Sequence, residues 1–564
     1  MKKRIIAALL SATMIITLAA CGKKAEPEQT AEQEPVEETT ETAEEEPAAE
    51  EEVQEPGVLI PIVCTKSYYS YDDEIEKQLF TGKEEGVILD DSCQEAYPAL
   101  YKTLSENWEK TLSEGDKNAE SMTKEARDFY DEMVSYGNDM EYFTSYSDEN
   151  DIYVLRADDV AFSYTITNST YTGGAHGMYG NGGYTYDSQT GQEIKLSDVI
   201  KDLDTYGQKL FDKVSEEYPD VVNYLDDPTT LRDQIVEEVK GEYTNWALTP
   251  NGIRYYFNPY DIAAYAAGQQ IIEIGYKEEP SLFNEKYVMP EGTGYVVKDD
   301  YSFKIDADGD GDLDSITIEG NYPPYEEGVD SYEAEGVNVV IDNKTTTTIG
   351  SDSYCYNWSG YQMHTAGGKD FLVVELGMEN DYQQMIVCEA GNGNVRELGS
   401  YGLYEQTISY DDSVTGVSKY YAITDPANMK LAEHYDRLGT YTAGCTFHLT
   451  DDGKLETDDE YAYLTGPARQ YQVIKSKVDL TVDVVDEAGE VTEADVKLPS
   501  GTEYNLYRTK REAVSDGLYY VDCTLTDGRI VRLEFSDSTE ANEWQHKVNG
   551  CNEYDAFENV LYAG

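Results

Sequence analysis

Apolar residues recur every four positions at Ala96, Leu100, Leu104, Trp108 and Leu112, the spacing of one helix face, and Pro98 suits a first helical turn. A second stripe, Met122, Ala126, Phe129 and Met133, runs to Gly137, a plausible cap. The period then falls to two: Phe162, Tyr164 and Ile166 alternate with polar residues and predict a half-buried strand. A strand at Tyr184 to Tyr186, a turn at Asp187 to Gly191 and the run Ile194 to Ile200 follow. Two more helical faces come next, Leu203, Tyr206, Leu210 and Val214, then Leu231, Ile235 and Val239. Beyond Val288 alternation dominates, at Tyr301, Phe303 and Ile305, at Ile316 and Ile318, and at Leu480, Val482 and Val484. Near the end, Tyr519 to Leu525 and Ile530 to Phe535 flank Asp527-Gly528, a hairpin pattern, with Trp544 and Phe557 as core candidates. The pattern predicts an α+β N-terminal module, with helices on an antiparallel sheet. A mostly-β C-terminal half follows, built of propeller-like or sandwich repeats and a small β domain.

The start of the chain departs from both periods. Lys2, Lys3 and Arg4 precede an apolar run from Ile5 to Ala20, which at roughly sixteen residues is shorter than the ~20 that span a bilayer. It closes in Leu18-Ala19-Ala20-Cys21-Gly22, which resembles a lipobox; the resemblance implies removal of residues 1–20 and acylation of Cys21. An ordinary signal peptide cut near Ala20 is the alternative, and both export the chain. From Ala25 to Gly57 there are fourteen Glu, no basic residue and almost nothing large and apolar. Such a segment cannot offset its chain entropy and extends by self-repulsion, so residues 21–57 are expected to be a stalk. The remaining divisions are 58–170 and 171–290 in the α+β part, a β-rich region at 291–460, and a small β domain at 461–564.

Charge narrows the partners. The chain carries 112 Asp and Glu against 42 Lys and Arg, a net charge of −70. Setting aside the fourteen stalk Glu and the five basic residues before them leaves the body at about −61. Nucleic acid is excluded because its phosphates would be repelled, and anionic lipid is disfavoured; a cationic partner or a divalent metal suits this surface, and general acidity for solubility or a salty habitat is the alternative. Fifty Tyr against twelve Phe point to half-buried strand faces and exposed aromatic surface. The seven cysteines beyond Cys21 show no Cys-x-x-Cys spacing, and the five histidines form neither His-x-x-x-His nor His-Glu-x-x-His. No Gly-x-Ser-x-Gly occurs either, which leaves the chain without a familiar hydrolase signature.

Two motifs stand out. The first is the glycine-rich run Tyr171-Thr172-Gly173-Gly174-Ala175-His176-Gly177. Gly173, Gly174 and His176 form a candidate ligand loop, although the glycines could serve backbone angles alone, with His176 bonded inside the loop. It lacks the Gly-Lys-Ser/Thr of a phosphate cradle. The second is Asp306-Ala307-Asp308-Gly309-Asp310-Gly311-Asp312-Leu313-Asp314, between two alternating runs. Carboxylates at positions one, three, five and nine, with Gly at six, fit a calcium loop, with Asp312 giving its backbone carbonyl. Position twelve is Thr317 and the flanks are strands, so the loop resembles those of FG-GAP or VCBS-type repeats rather than an EF-hand. Phe371 to Leu376 and Gln383 to Val387 echo the strand, loop, strand order with the aspartates mostly gone.

The glycine run, the Asp187 to Leu196 hairpin and the ending Leu248-Thr249-Pro250-Asn251-Gly252 through Tyr256-Phe257-Asn258-Pro259-Tyr260-Asp261-Ile262-Ala263 to Ala266-Ala267-Gly268 resemble the DUF3298 family, with a DUF4163-like region before it. That pair is similar to the extracellular part of the lysozyme-sensing anti-sigma-V factor and to the non-catalytic part of some peptidoglycan deacetylases. The resemblance implies an extracellular α+β module that recognises a cell-wall component or a muramidase. The chain begins with a lipobox where the anti-sigma factor has a cytoplasmic domain and a membrane span, and it has nothing like the deacetylase's metal-dependent domain. The expectation is a non-catalytic, calcium-stiffened lipoprotein at the outer face of the cytoplasmic membrane, whose partner is peptidoglycan or a lysozyme-like protein. A cell-wall glycan hydrolase and a scaffold for envelope proteins are the alternatives.

Overall fold

The computed structural model describes residues 58–223, 225, 227–241, 243, 245–299, 302–305, 307, 314–323, 333–379, 382–391, 393–405, 407–408, 416–464, 473–514, 517–536 and 546–562. Cys21, Asp306, Asp308, Asp310, Asp312 and Trp544 lie outside the described residues. No described helix is long and apolar enough to cross a membrane.

The chain enters as a hairpin, β1 (Pro61–Asp72) and β2 (Lys77–Leu89). The helix α1 (Pro98–Ser135) then runs for 38 residues. From Leu100 onward the two apolar stripes of the sequence lie on this one helix, burying Leu100, Leu104, Trp108, Met122 and Ala126, whereas Ala96, the first position of the expected stripe, precedes the helix and is exposed. No Pro interrupts the helix, and Gly115 between the stripes is tolerated because the helix lies close against the sheet there. A Cβ on Gly115 would stand 2.7 Å from both Glu84 Cγ and the Tyr68 hydroxyl.

After α1 come β3 (Tyr146–Ala157), β4 (Ala161–Tyr171) and β5 (Met178–Asp187). The sheet differs from the antiparallel one expected in a single pairing: β3 lies parallel to β2 through Phe80↔Tyr146 to Lys83↔Glu149. The cause is α1 itself, since a long helical crossover returns the chain in the same direction. A second feature is invisible to local pattern. Strand Val417–Tyr421, more than three hundred residues on, pairs with β1 from Ile62↔Tyr421 to Lys66↔Val417, and Thr407–Ile408 extends the same edge.

Next come α2 (Leu196–Val199), α3 (Leu203–Glu217), α4 (Pro219–Asn223) and α5 (Pro228–Glu238). They lead to a three-stranded antiparallel sheet, β6 (Trp246–Leu248), β7 (Gly252–Phe257) and β8 (Gln270–Gly275). Asp202 and Asp227 cap α3 and α5 by accepting backbone N–H bonds. Tyr206, Leu210, Val214 and Ile235 of the helices share one core with Ile253, Tyr255, Ile272 and Ile274.

The C-terminal half is stacked sheet. The strands Ser302–Ile305, Asp314–Gly320, Ala334–Ile341 and Thr345–Cys355 pack face to face on a five-stranded sheet through Phe303, Ile316, Val339, Leu372 and Ile386. The other face of that five-stranded sheet, with Tyr361, Phe371 and Val373, packs on Leu431 and Phe447 of the last and largest sheet. Among the described residues the sheets are open and stacked, with no closed barrel or propeller. The Asp527-Gly528 hairpin forms with Thr524 opposite Ile530, and Phe557 is buried.

That last sheet holds a buried ion triad. Asp522, fully buried, accepts from Arg508 Nε at 2.8 Å and from Arg532 Nε at 2.8 Å and Nη2 at 3.0 Å. Arg532 also donates to the Tyr461 hydroxyl at 2.9 Å and to the Gly489 carbonyl at 3.0 Å.

Candidate functional site

The glycine-rich run is the β4–β5 connection. Gly173 and Gly174 take φ values of +86° and +105°, which a Cβ would oppose. The exposed His176 donates from Nδ1 to the Gly177 carbonyl at 2.8 Å, and the Tyr171 hydroxyl donates to the Gly174 carbonyl at 3.2 Å. The loop therefore holds itself, and the His176 ring is laid flat on Tyr265, with centroids 3.9 Å apart and planes 22° from parallel.

Tyr265 opens the short 3-10 turn Tyr265–Ala267 and gathers two more rings. Tyr179 of β5 meets it edge-on at 5.9 Å, and Tyr260 lies at 5.7 Å, tilted by 38°. Tyr260 is 57% exposed. It sits in the turn Asn258-Pro259-Tyr260-Asp261, closed by Asp261 N donating to the Asn258 carbonyl at 3.0 Å and by Asn258 N donating to Asp261 Oδ2 at 2.7 Å. The Asn258 amide also pairs with the backbone of Asn181 on β5, and Gln269 Nε2 donates to Asn258 Oδ1 at 2.6 Å. Burial and then the Asp261 carboxylate raise the Glu238 carboxyl.

The ligand-loop residues are thus brought together with an aromatic patch that sequence reasoning did not join to them. The Asn-Pro-Tyr-Asp string was the available signal, but nothing local says that it folds over a loop some eighty residues earlier.

A second cluster lies where α1 crosses β2 and β3. Burial, with Asp148 and Glu114 nearby, pushes the Glu84 carboxyl up to about 7, despite the bond it accepts from Asn150 Nδ2 at 2.6 Å. Asp148 accepts from Asn118 of α1, from Asn168 at 3.2 Å and from Thr170 at 2.6 Å. Beside it, Tyr68, Tyr69, Phe80, Ala119 and Thr123 line an open groove of about 240 Å³.

Of the aspartate loop, Ala307 and Asp314 are described. The strands on either side pair with Ile305 opposite Asp314, and Asp314 Oδ2 accepts from Ala307 N at 2.8 Å. Asp342, from the next turn, accepts from Ser315 N at 2.9 Å. Among the described residues no three His, Cys, Asp or Glu side chains gather as a metal-ligand set.

Two family models match the chain. Residues 197–277 match the model described as protein of unknown function DUF3298, and residues 90–179 match the one described as deacetylase PdaC. The aromatic patch joins the two matched segments, with His176 and Tyr179 from the earlier and Tyr260 and Tyr265 from the later. No curated protein matches the chain. Two solved structures are similar. A DUF3298 family member from Bacteroides fragilis is 18% identical, covers 41% of this chain and 96% of its own, and has a TM-score of 0.31. A DUF3298 family protein from Pseudomonas aeruginosa is 15% identical, covers 40% and 96%, and has a TM-score of 0.25.

Proposed function

We propose that this chain is an exported lipoprotein, acylated on Cys21 and held by its acidic stalk at the outer face of the cytoplasmic membrane. Its folded body binds a basic lysozyme-like protein or a cell-wall component without acting on it. The observation that carries the reading is the patch of His176, Tyr179, Tyr260 and Tyr265. It is an aromatic cluster tied to β5 through Asn258, on a body of about −61 charge. Tyrosines held in place are the side chains that dominate protein interfaces, and the surrounding negative charge speeds encounter with a basic partner. The DUF3298 and PdaC segments support a role at the cell wall, and the earlier segment is the part read as DUF4163-like.

Calcium belongs to the same proposal. Asp306, Asp308, Asp310 and Asp314 would hold the ion with their carboxylates and Asp312 with its carbonyl, stiffening the hairpin that follows Ser302. The pairing of the strands at both ends of the loop supports it.

The test is a titration of residues 58–564 with lysozyme and, separately, with soluble peptidoglycan fragments, each with calcium and with chelator. Saturable 1:1 binding to lysozyme that weakens with salt is expected. Failure to bind either ligand overturns the proposal.

A second reading, a wall-glycan hydrolase, is favoured by Glu84. A carboxyl raised by burial to about 7, close to Tyr68 of an aromatic groove, suits a general acid. Hydrolysis of purified peptidoglycan that Glu84→Gln abolishes without unfolding the chain would establish it.

A further inference from the structure

We infer that Tyr260 is the seat for a cationic side chain, arginine or lysine, presented by a basic protein partner. The inference rests on the binding role proposed above and deepens it by naming the point of contact.

It begins with the backbone. Asn258-Pro259-Tyr260-Asp261 has proline at the second position and a closing bond from Asp261 N to the Asn258 carbonyl at 3.0 Å, the features of a type II turn. The third residue of such a turn needs a φ near +80°, and glycine or asparagine normally supplies it. Tyrosine stands there instead, at φ +78°. A large side chain in this region is disfavoured, and such residues persist where the surroundings over-determine them. Here the Asn258 amide, the Asp261 carboxylate and Gln269 do so. Burial does not offset the strain, because the residue is 57% exposed. The turn thus holds a strained residue in order to present an aromatic face to solvent.

The chemistry of that face selects the occupant. A tyrosine ring carries negative potential on its faces and attracts a guanidinium or ammonium group within about 6 Å of its centroid. Tyr265 stands beside it and is braced by His176 and Tyr179, so the patch does not collapse onto Tyr260. The Asp261 carboxylate closes the same turn, accepting from Asn258 N at 2.7 Å, on a body whose net charge is strongly negative. A cation gains from both terms.

The substitution Tyr260→Gly tests this, because glycine is the residue the turn prefers. The fold should keep or gain thermal stability while the contact is lost. Titration calorimetry of residues 58–564 with lysozyme and with a hexa-arginine peptide, for wild type and Y260G, is expected to show about tenfold weaker binding of both by Y260G, within the range of a partly desolvated cation–π contact. The net charge is unchanged, so the difference isolates the ring. If wild type fails to bind lysozyme, that partner is lost and the peptide alone decides the seat. Equal affinity of wild type and Y260G for the peptide overturns the inference. So does a parallel titration with soluble peptidoglycan fragments in which Y260G loses binding to the fragments alone, which would make the patch a saccharide site.

Discussion

Asn258 grips Asn181 by both backbone groups: its Nδ2 donates to the Asn181 carbonyl at 3.1 Å, and its Oδ1 accepts the Asn181 N–H at 2.8 Å. This doublet ties the Tyr260 turn to β5, which also carries Tyr179. Asn258→Ala removes it and frees the Gln269 amide, so a loss of about 1–3 kcal/mol is expected. Asn258→Asp keeps the acceptor and should lose less. Urea denaturation of residues 58–564 measures both, and lysozyme affinity should fall in the same order.

The triad around Asp522 predicts a larger effect. Asp522→Ala leaves Arg508 and Arg532 buried and without their shared carboxylate, which should cost about 3–5 kcal/mol. Asp522→Asn, which keeps the shape and one acceptor oxygen, should be milder. A smaller shift in denaturation midpoint for Ala than for Asn would contradict this account of the sheet.

Glu84 gives stability a pH dependence of definite sign. Its carboxyl is raised by burial from 4.5 to about 7 in the fold, so the folded chain holds a proton that the unfolded chain has released between those values. The contribution is fully present below pH 4.5 and is lost as pH rises through about 7. Stability should therefore decline from pH 5 to pH 8, and Glu84→Gln should flatten that decline. Thermal melting across this range, wild type against variant, measures it.

Thiol accessibility is equally specific. Cys64, Cys93, Cys355, Cys388, Cys445 and Cys523 are unpaired and buried, while Cys551 is exposed. Burial pushes the Cys64 and Cys388 thiols up to about 12. Iodoacetamide should modify Cys551 first in the native body and all seven only in denaturant. Mass spectrometry of the digested protein reads the order directly.

The elements were legible in the sequence wherever period and capping agreed. Leu100, Leu104 and Trp108 face the core as their spacing required, and the Asp527-Gly528 hairpin closes as its flanks predict. Pairing between distant strands was not legible, because Ile62 opposite Tyr421 depends on loop closure over most of the chain, which no local pattern encodes. The same holds for the aromatic patch. Gly173 announces a loop and Pro259 a turn, but the stacking of His176 on Tyr265 arises only when β5 and the β7–β8 connection meet.

Strand Val417–Tyr421 also governs how the molecule can be divided. With it in place β1 is covered on both sides, by β2 and by a strand more than three hundred residues later. A fragment ending near residue 290 would expose the β1 edge, with Ile62 and Cys64 unshielded. An open edge of that kind pairs with whatever strand it meets, including the same edge of another copy. The piece that matches the known families is therefore not a portable part: cut free, it should self-associate, and binding measured on it would report a dimer interface that the intact chain never forms.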